Sequence, residues 1–313
     1  MSPVAKLGLG LAALGRPAYL TSGRDADLGD DRSVDAMRRR TAEVLDAAYA
    51  AGIRYIDAAR SYGRAEEFLA GWLAARPDIT DVTVASKWGY RYVGDWRMDS
   101  DVHEIKDHSV TAFETQLGET QQHLGRHLNV YQVHSVTVDS PALTDSHLHR
   151  ALARLRESGV RVGFSTSGPS QADAVRRALD VEVGGEPLFA VVQSTWNLLE
   201  PSVGPALAEA ASRGASVVIK ECLANGRLVD DERVTALVRD LGINLDVDEL
   251  AMASALSQPW ASHVLTGAVT VDQVTRNVRA AALAESGRLP DRLGSFAGNP
   301  ETYWSLRSRR AWE

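Results

Sequence analysis

The 313-residue sequence has one cysteine, Cys222, so no internal disulfide can form and a reducing, cytoplasmic setting is expected. No window of 18 uncharged apolar residues occurs, which excludes a spanning helix. The N-terminus, Met1 to Lys6, has no basic region followed by an apolar stretch and a cleavage site, so no leader is expected. Dense positive charge is also missing. The longest basic run, Arg38-Arg39-Arg40, reads as the solvated face of a helix. With 34 Lys and Arg against 41 Asp and Glu, the net charge is −7, which argues against nucleic acid or an anionic membrane as the main partner. No Ser/Gly/Pro-rich linker divides the chain, so residues 1–313 are expected to form one domain. His123 and His127 have helical i, i+4 spacing, but no acidic residue completes a ligand set, and no metal site is expected.

What is present is an alternation. Eight short runs, many of them β-branched, are separated by Ala/Leu/Arg-rich segments of helical period. The runs are 6–13, 54–57, 82–87, 129–134, 161–165, 189–194, 216–220 and 263–266. Helices are expected over 41–51, 152–158 and 206–213, closed by Gly52, Gly159 and Gly214. Strand–helix alternation implies a parallel sheet. Eight units match a (β/α)₈ barrel more closely than an open doubly wound sheet. Gly8-Leu9-Gly10-Leu11-Ala12-Ala13 fits a loose dinucleotide fingerprint. Only seven residues precede it and Pro17 soon follows, so it reads as the first barrel strand. The tail from about residue 287 onward is expected to pack over the barrel.

Chemistry in such a barrel sits at the C-terminal ends of the strands. The second run ends at Asp57, with Tyr62 five residues on; the third ends at Lys87 and the fourth at His134. Alone, each has an ordinary structural explanation. Together they form a proton-transfer set: a phenol, an ammonium to lower its pKa, a carboxylate to hold the ammonium, and an imidazole to bind a substrate oxygen. The loop Tyr90–His108 is expected over the barrel mouth, with Trp88, Trp96 and Trp196 walling an aromatic substrate pocket.

These residues lie in the segments Gly52-Ile-Arg-Tyr-Ile-Asp57-Ala-Ala-Arg-Ser-Tyr62-Gly63, Ala85-Ser-Lys87-Trp88-Gly89 and Val130-Tyr-Gln-Val-His134-Ser135. Further along come Arg161-Val-Gly-Phe-Ser165-Thr166, Val191-Val-Gln193-Ser-Thr-Trp-Asn197 and the 265–277 turn. In all six segments, and in their order, the chain resembles the aldo-keto reductases. The resemblance implies a (β/α)₈ barrel that reduces a small aldehyde or ketone with NAD(P)H, or runs the reverse. It implies Tyr62 as general acid/base, Lys87 and Asp57 as its partners, and His134 orienting the carbonyl. Ser165, Thr166 and Gln193 would hold the carboxamide. Gly267, Gln273, Arg276 and Asn277 would hold the adenosine end, and Lys220 would lie near pyrophosphate or ribose or else pair with Glu221. Departures are Thr166 where Asn is common, and Lys220 in a seventh strand that has no stacking aromatic. Family habit leans toward NADPH over NADH. Two other functions remain open: a Schiff-base lyase or isomerase using Lys87, and a nicotinamide-binding accessory or redox-sensing subunit.

Overall fold

The computed structural model describes residues 3–20, 24–240 and 245–312. Eight parallel strands close into a barrel: β1 (Leu7–Gly10), β2 (Tyr55–Asp57), β3 (Thr83–Trp88), β4 (Leu128–Val136), β5 (Arg161–Thr166), β6 (Val191–Thr195), β7 (Ser216–Lys220) and β8 (His263–Thr266). Each pairs with its sequence neighbours, and β8 pairs with β1. All eight expected runs are therefore strands. The first is shorter than expected, because the chain leaves the sheet after Gly10 and turns.

The helices following the strands are α1 (Val34–Ala50), α2 (Ala65–Ala74), α3 (Val110–Leu124), α4 (Ser146–Glu157), α5 (Gln171–Leu179), α6 (Gly204–Ser212), α7 (Val247–Leu256) and α8 (Val271–Ser286). Side-chain oxygens start several of them. Ser33 accepts from Ala36 N, Asp145 from His147 and Leu148 N, and Thr270 from Gln273 N. On α4, Leu148, Leu152 and Leu155 form the apolar stripe that buries against the strands.

The barrel interior is layered. Tyr55, Ala85, Val130, Val191, Val218 and Leu265 fill one internal layer. Gly8 and Gly163 complete it, because a Cβ on Gly8 would stand 2.8 Å from Leu265 Cδ2 and one on Gly163 2.8 Å from Val191 Cβ. Side chains along a strand alternate faces. Two residues further on, the inward positions are therefore Gly10, Asp57, Lys87, Gln132, Ser165, Gln193, Lys220 and Gly267. A polar layer thus sits directly above an apolar one, at the C-terminal end of the barrel.

Two features were not anticipated. Tyr90–Tyr92 and Glu104–Lys106 pair as an antiparallel hairpin over the mouth, tied down by Lys106 Nζ donating to Ser135 O (2.8 Å). A second hairpin joins Glu182–Val183 to Glu186–Pro187. In the tail, a helix at Pro300–Ser308 buries Tyr303 and Trp304 with Phe296 against Leu198, Leu228 and Leu250.

Candidate active site

Lys87 is fully buried, and its ammonium has three N–H donors and three acceptors. They are Asp57 Oδ2, Ala58 O (2.9 Å) and Tyr62 Oη (3.2 Å). An ammonium cannot accept a hydrogen bond, so the Tyr62 hydroxyl proton is left for a partner other than Lys87. Asp57 Oδ1 in turn accepts from Gln193 Nε2 (2.9 Å) and, at 3.5 Å, from Gln132 Nε2. An ammonium at Lys87 therefore has all three donors engaged, although burial lowers its pKa from the usual lysine value against the pull of Asp57.

The His134 ring meets that of Tyr62 edge-on, with centroids 5.6 Å apart, and Ser61 Oγ lies 3.4 Å from its Nδ1. Burial and the nearby cations Lys87, Lys220 and Arg16 hold His134 well below its ordinary pKa. It is therefore a neutral imidazole that can hydrogen-bond an oxygen without competing for the proton. Tyr62 departs from expectation. Burial and the Asp57 charge push its pKa well above 10, and Arg16 only partly opposes them. The ammonium does not lower the phenol into the neutral range; desolvation of the phenolate wins. Tyr62 therefore keeps its hydroxyl proton at neutral pH.

The loop carrying Tyr62 is fixed by two glycines. A Cβ on Gly15 would lie 2.3 Å from Tyr62 O. Gly63, at φ +57°, would with a Cβ approach Gly15 O to 2.5 Å. Arg64 N donates to Gly15 O across the same contact (2.7 Å).

Above these groups opens a cavity of about 850 Å³ that runs from the barrel mouth to the start of α8. Asp57, Tyr62, His134, Gln193, Lys220, Gly267, Gln273, Arg276 and Asn277 all line it. Ser165 lies on the inward face of β5, fully buried, and its Oγ accepts from Ser135 N (2.8 Å). Thr166 is the next residue and faces the helix layer, bonded to Ser194 Oγ (2.7 Å) and Gln171 Oε1 (3.2 Å). It does not reach the cavity. None of the three expected tryptophans does either. Trp88, beside inward Lys87, packs on Phe113 of α3; Trp96 donates to Arg32 O (2.8 Å); Trp196 packs on Trp260. The aromatic wall is built instead by Tyr19, Tyr90 and Trp312. The Arg16 guanidinium stands 4.8 Å from the Tyr19 ring, 5.0 Å from Tyr62 and 4.6 Å from Trp312, and pairs with Glu104 (2.5 Å). Nothing local in the sequence signals that residues 16, 104 and 312 meet.

Lys220 Nζ donates to Thr195 Oγ1 (2.8 Å) and lies 3.6 Å from Glu221. Both readings of Lys220 thus have geometric support: it faces the cavity and it pairs. Burial lowers its pKa to about 8, leaving it mostly protonated at neutral pH. Burial also disfavours the Glu221 charge, but Arg307 and Lys220 outweigh it and bring that pKa to about 2. Arg307 grips Glu221 from the tail helix (2.9 and 2.5 Å).

At the far end, Asn277 Nδ2 donates to Thr266 Oγ1 (2.5 Å). Gln273 bridges Val269 N (2.8 Å) and Asp27 Oδ2 (2.7 Å), and Arg276 pairs with Asp248 (3.0 Å). Two cavity-lining amide oxygens, Gln193 Oε1 and Asn225 Oδ1, are buried with no partner. Each is an acceptor awaiting an N–H, the complement of a carboxamide or an amino-purine. The described residues contain no group of three or more His, Cys, Asp or Glu placed to hold a metal, and no described helix is long and apolar enough to cross a membrane.

The model of the aldo/keto reductase family matches residues 6–286. Among solved structures, a Pseudomonas aeruginosa protein assigned as an aldo-keto reductase is 22% identical, covering 90% of each chain at a TM-score of 0.64. The holo form of an aldo-keto reductase from Bacillus halodurans is 20% identical, over 96% of this chain and 91% of that one, at 0.64. An aldo/keto reductase from Klebsiella pneumoniae in complex with NADP and acetate is 19% identical, over 94% and 91%, at 0.66. At these identities the structural likeness speaks to the fold alone. No curated protein matches the chain.

Proposed function

The chain belongs to the aldo/keto reductase family of NAD(P)H-dependent oxidoreductases, and from that premise we propose that it interconverts a small carbonyl compound and its alcohol with Tyr62 as the general acid/base. The observation that carries the reading is the saturated Lys87 ammonium, whose three N–H groups leave the Tyr62 proton available to a substrate oxygen. A bound nicotinamide cofactor would supply the hydride. Gln193, with its open Oε1, would fix the carboxamide; Ser165 and Thr166 are fully buried outside the cavity lining, Ser165 bonded to Ser135 N and Thr166 to Ser194 Oγ. His134, neutral and edge-on to Tyr62, would receive the carbonyl oxygen from the other side. Lys220 would face the diphosphate across the middle of the cavity. With the proton-transfer groups at one end, the adenosine moiety falls to the other, beside Gly267, Gln273, Arg276 and Asn277.

One feature bears on direction at neutral pH: Tyr62 is protonated there, so the phenolate that oxidation needs is scarce. The test is Tyr62→Phe, which removes one oxygen from a packed ring. Reduction of a reactive aldehyde should fall by about 10²–10⁴, while the affinity for dihydronicotinamide cofactor, followed by its fluorescence, stays unchanged. In the wild type, Tyr62 should impose no loss of reduction rate up to about pH 10, and oxidation should climb with pH throughout. Wild-type reduction by Tyr62→Phe with cofactor bound would remove Tyr62 as the acid.

A further inference from the structure

The cavity is electrically lopsided. At its catalytic end four cations, Arg16, Lys87, Lys220 and Arg307, meet three carboxylates, Asp57, Glu104 and Glu221. At its far end the described lining includes four carboxylates, Asp27, Asp230, Asp246 and Asp248, and one cation, Arg276. Arg276 is already bound to Asp248. Behind this lining, the Arg40 guanidinium donates to Asp27 O (3.2 Å) and brings one cation toward the carboxylates, which remain in excess. Arg279 answers Asp246 (3.8 Å) and Glu249 together, so one more cation arrives with one more carboxylate.

The start of α8 is also committed. Thr270 caps it, Asp272 occupies its first turn, and Gln273 is clamped to Asp27. A helix N-terminus attracts anions through open N–H groups and its dipole. Here the Thr270 hydroxyl takes the Gln273 N–H, and Asp272 adds a negative charge to the first turn.

We infer that this end of the cavity rejects a 2′-phosphate on the adenosine ribose, so that the enzyme takes NAD(H) in preference to NADP(H), with Asp27 and Asp248 as the discriminating residues. The inference rests on the proposed placement of the adenosine moiety. A ribose with free hydroxyls meets carboxylates as hydrogen-bond acceptors. A phosphate of nearly two negative charges meets them as like charges. Asp248 acts twice, adding a negative charge and occupying the cation that would otherwise answer the phosphate. The expectation from family habit, NADPH, is thereby reversed.

The experiment titrates the full-length protein with NADH and with NADPH, reading dihydronicotinamide fluorescence with no substrate present. At low ionic strength NADH should bind at least tenfold tighter, equivalent to about 1.4 kcal/mol. Because the cause is charge, the ratio should shrink when salt is raised toward about 1 M, where screening acts within about 3 Å. A double variant, Asp27→Asn with Asp248→Asn, should narrow the ratio at least threefold, mainly through tighter NADPH binding. Equal or tighter binding of NADPH by the wild type overturns the inference while leaving the proposed reductase intact. A preference for NADH that neither salt nor the double variant moves overturns the electrostatic cause. Failure of both nucleotides to bind instead overturns the proposed function.

Discussion

The two ends of the cavity are built by different means. The proposed catalytic end is carried on strands, where Asp57, Lys87, Gln132 and Gln193 project from β2, β3, β4 and β6 in one internal layer and bond mainly to one another. The far end is carried on turns and helix starts: the 267–270 turn, the first turns of α7 and α8, and the loop near Asp230. A strand layer holds Lys87 within hydrogen-bond reach of Tyr62, the proposed proton donor in the loop just above it. A collar of helix starts fixes a field, whose sign can change without disturbing the barrel. Rate is expected to reside at the first end and affinity at the second.

The strongest way to break that comparison is Lys87→Met. The apolar side chain fills similar volume but leaves Asp57 with only amide donors. Reduction should drop by about 10²–10⁴, as for Tyr62→Phe. The double variant should be little worse than either single one, because the two residues act as a unit. Additive losses, measured in single-turnover reduction, would show that the two residues act independently. Next in size is Arg307→Met, which leaves Glu221 buried with Lys220 at 3.6 Å and the Thr195 hydroxyl at 3.3 Å. Denaturant unfolding should show a loss of about 3 kcal/mol, the low end for breaking a buried pair. A negligible loss would mean that the tail helix is not anchored by this bond. The smallest effect belongs to the far end. Asn277→Ala removes its hydrogen bond to Thr266 and should weaken cofactor binding or stability by about 0.5–1.5 kcal/mol. It should leave single-turnover rates at saturating cofactor unchanged; a large rate loss would blur the division between the two ends.

The strands are legible in the sequence because buried parallel strands are apolar runs that end where the barrel meets solvent, and Asp57, Lys87 and His134 stand at those ends. The departures at the site come from parity. Once Lys87 and Ser165 point inward, Trp88 and Thr166 must point outward. That alternation is present in the sequence, but residue type alone points the other way. Of the true aromatic wall, only Tyr90, which opens the loop expected over the mouth, is legible in the sequence. Tyr19 sits in the loop after β1, Tyr90 on a hairpin and Trp312 near the chain end, and only the closed barrel brings them to one mouth. The Tyr62 pKa differs from expectation for a related reason. A neighbouring charge can be read from a motif, whereas the depth of burial cannot.

The contact between Gly15 and Gly63 has a consequence for how such an enzyme can diversify. Backbone stands against backbone there, so neither loop can lengthen or change path without carrying the Tyr62 carbonyl with it. New substrate preferences must therefore be acquired by exchanging the side chains that look into the mouth, among them Tyr19, Tyr90 and Trp312, while the main chain around residues 15 and 63 keeps its course. The protein resembles a lock whose pins can be recut while the housing around the bolt stays as cast.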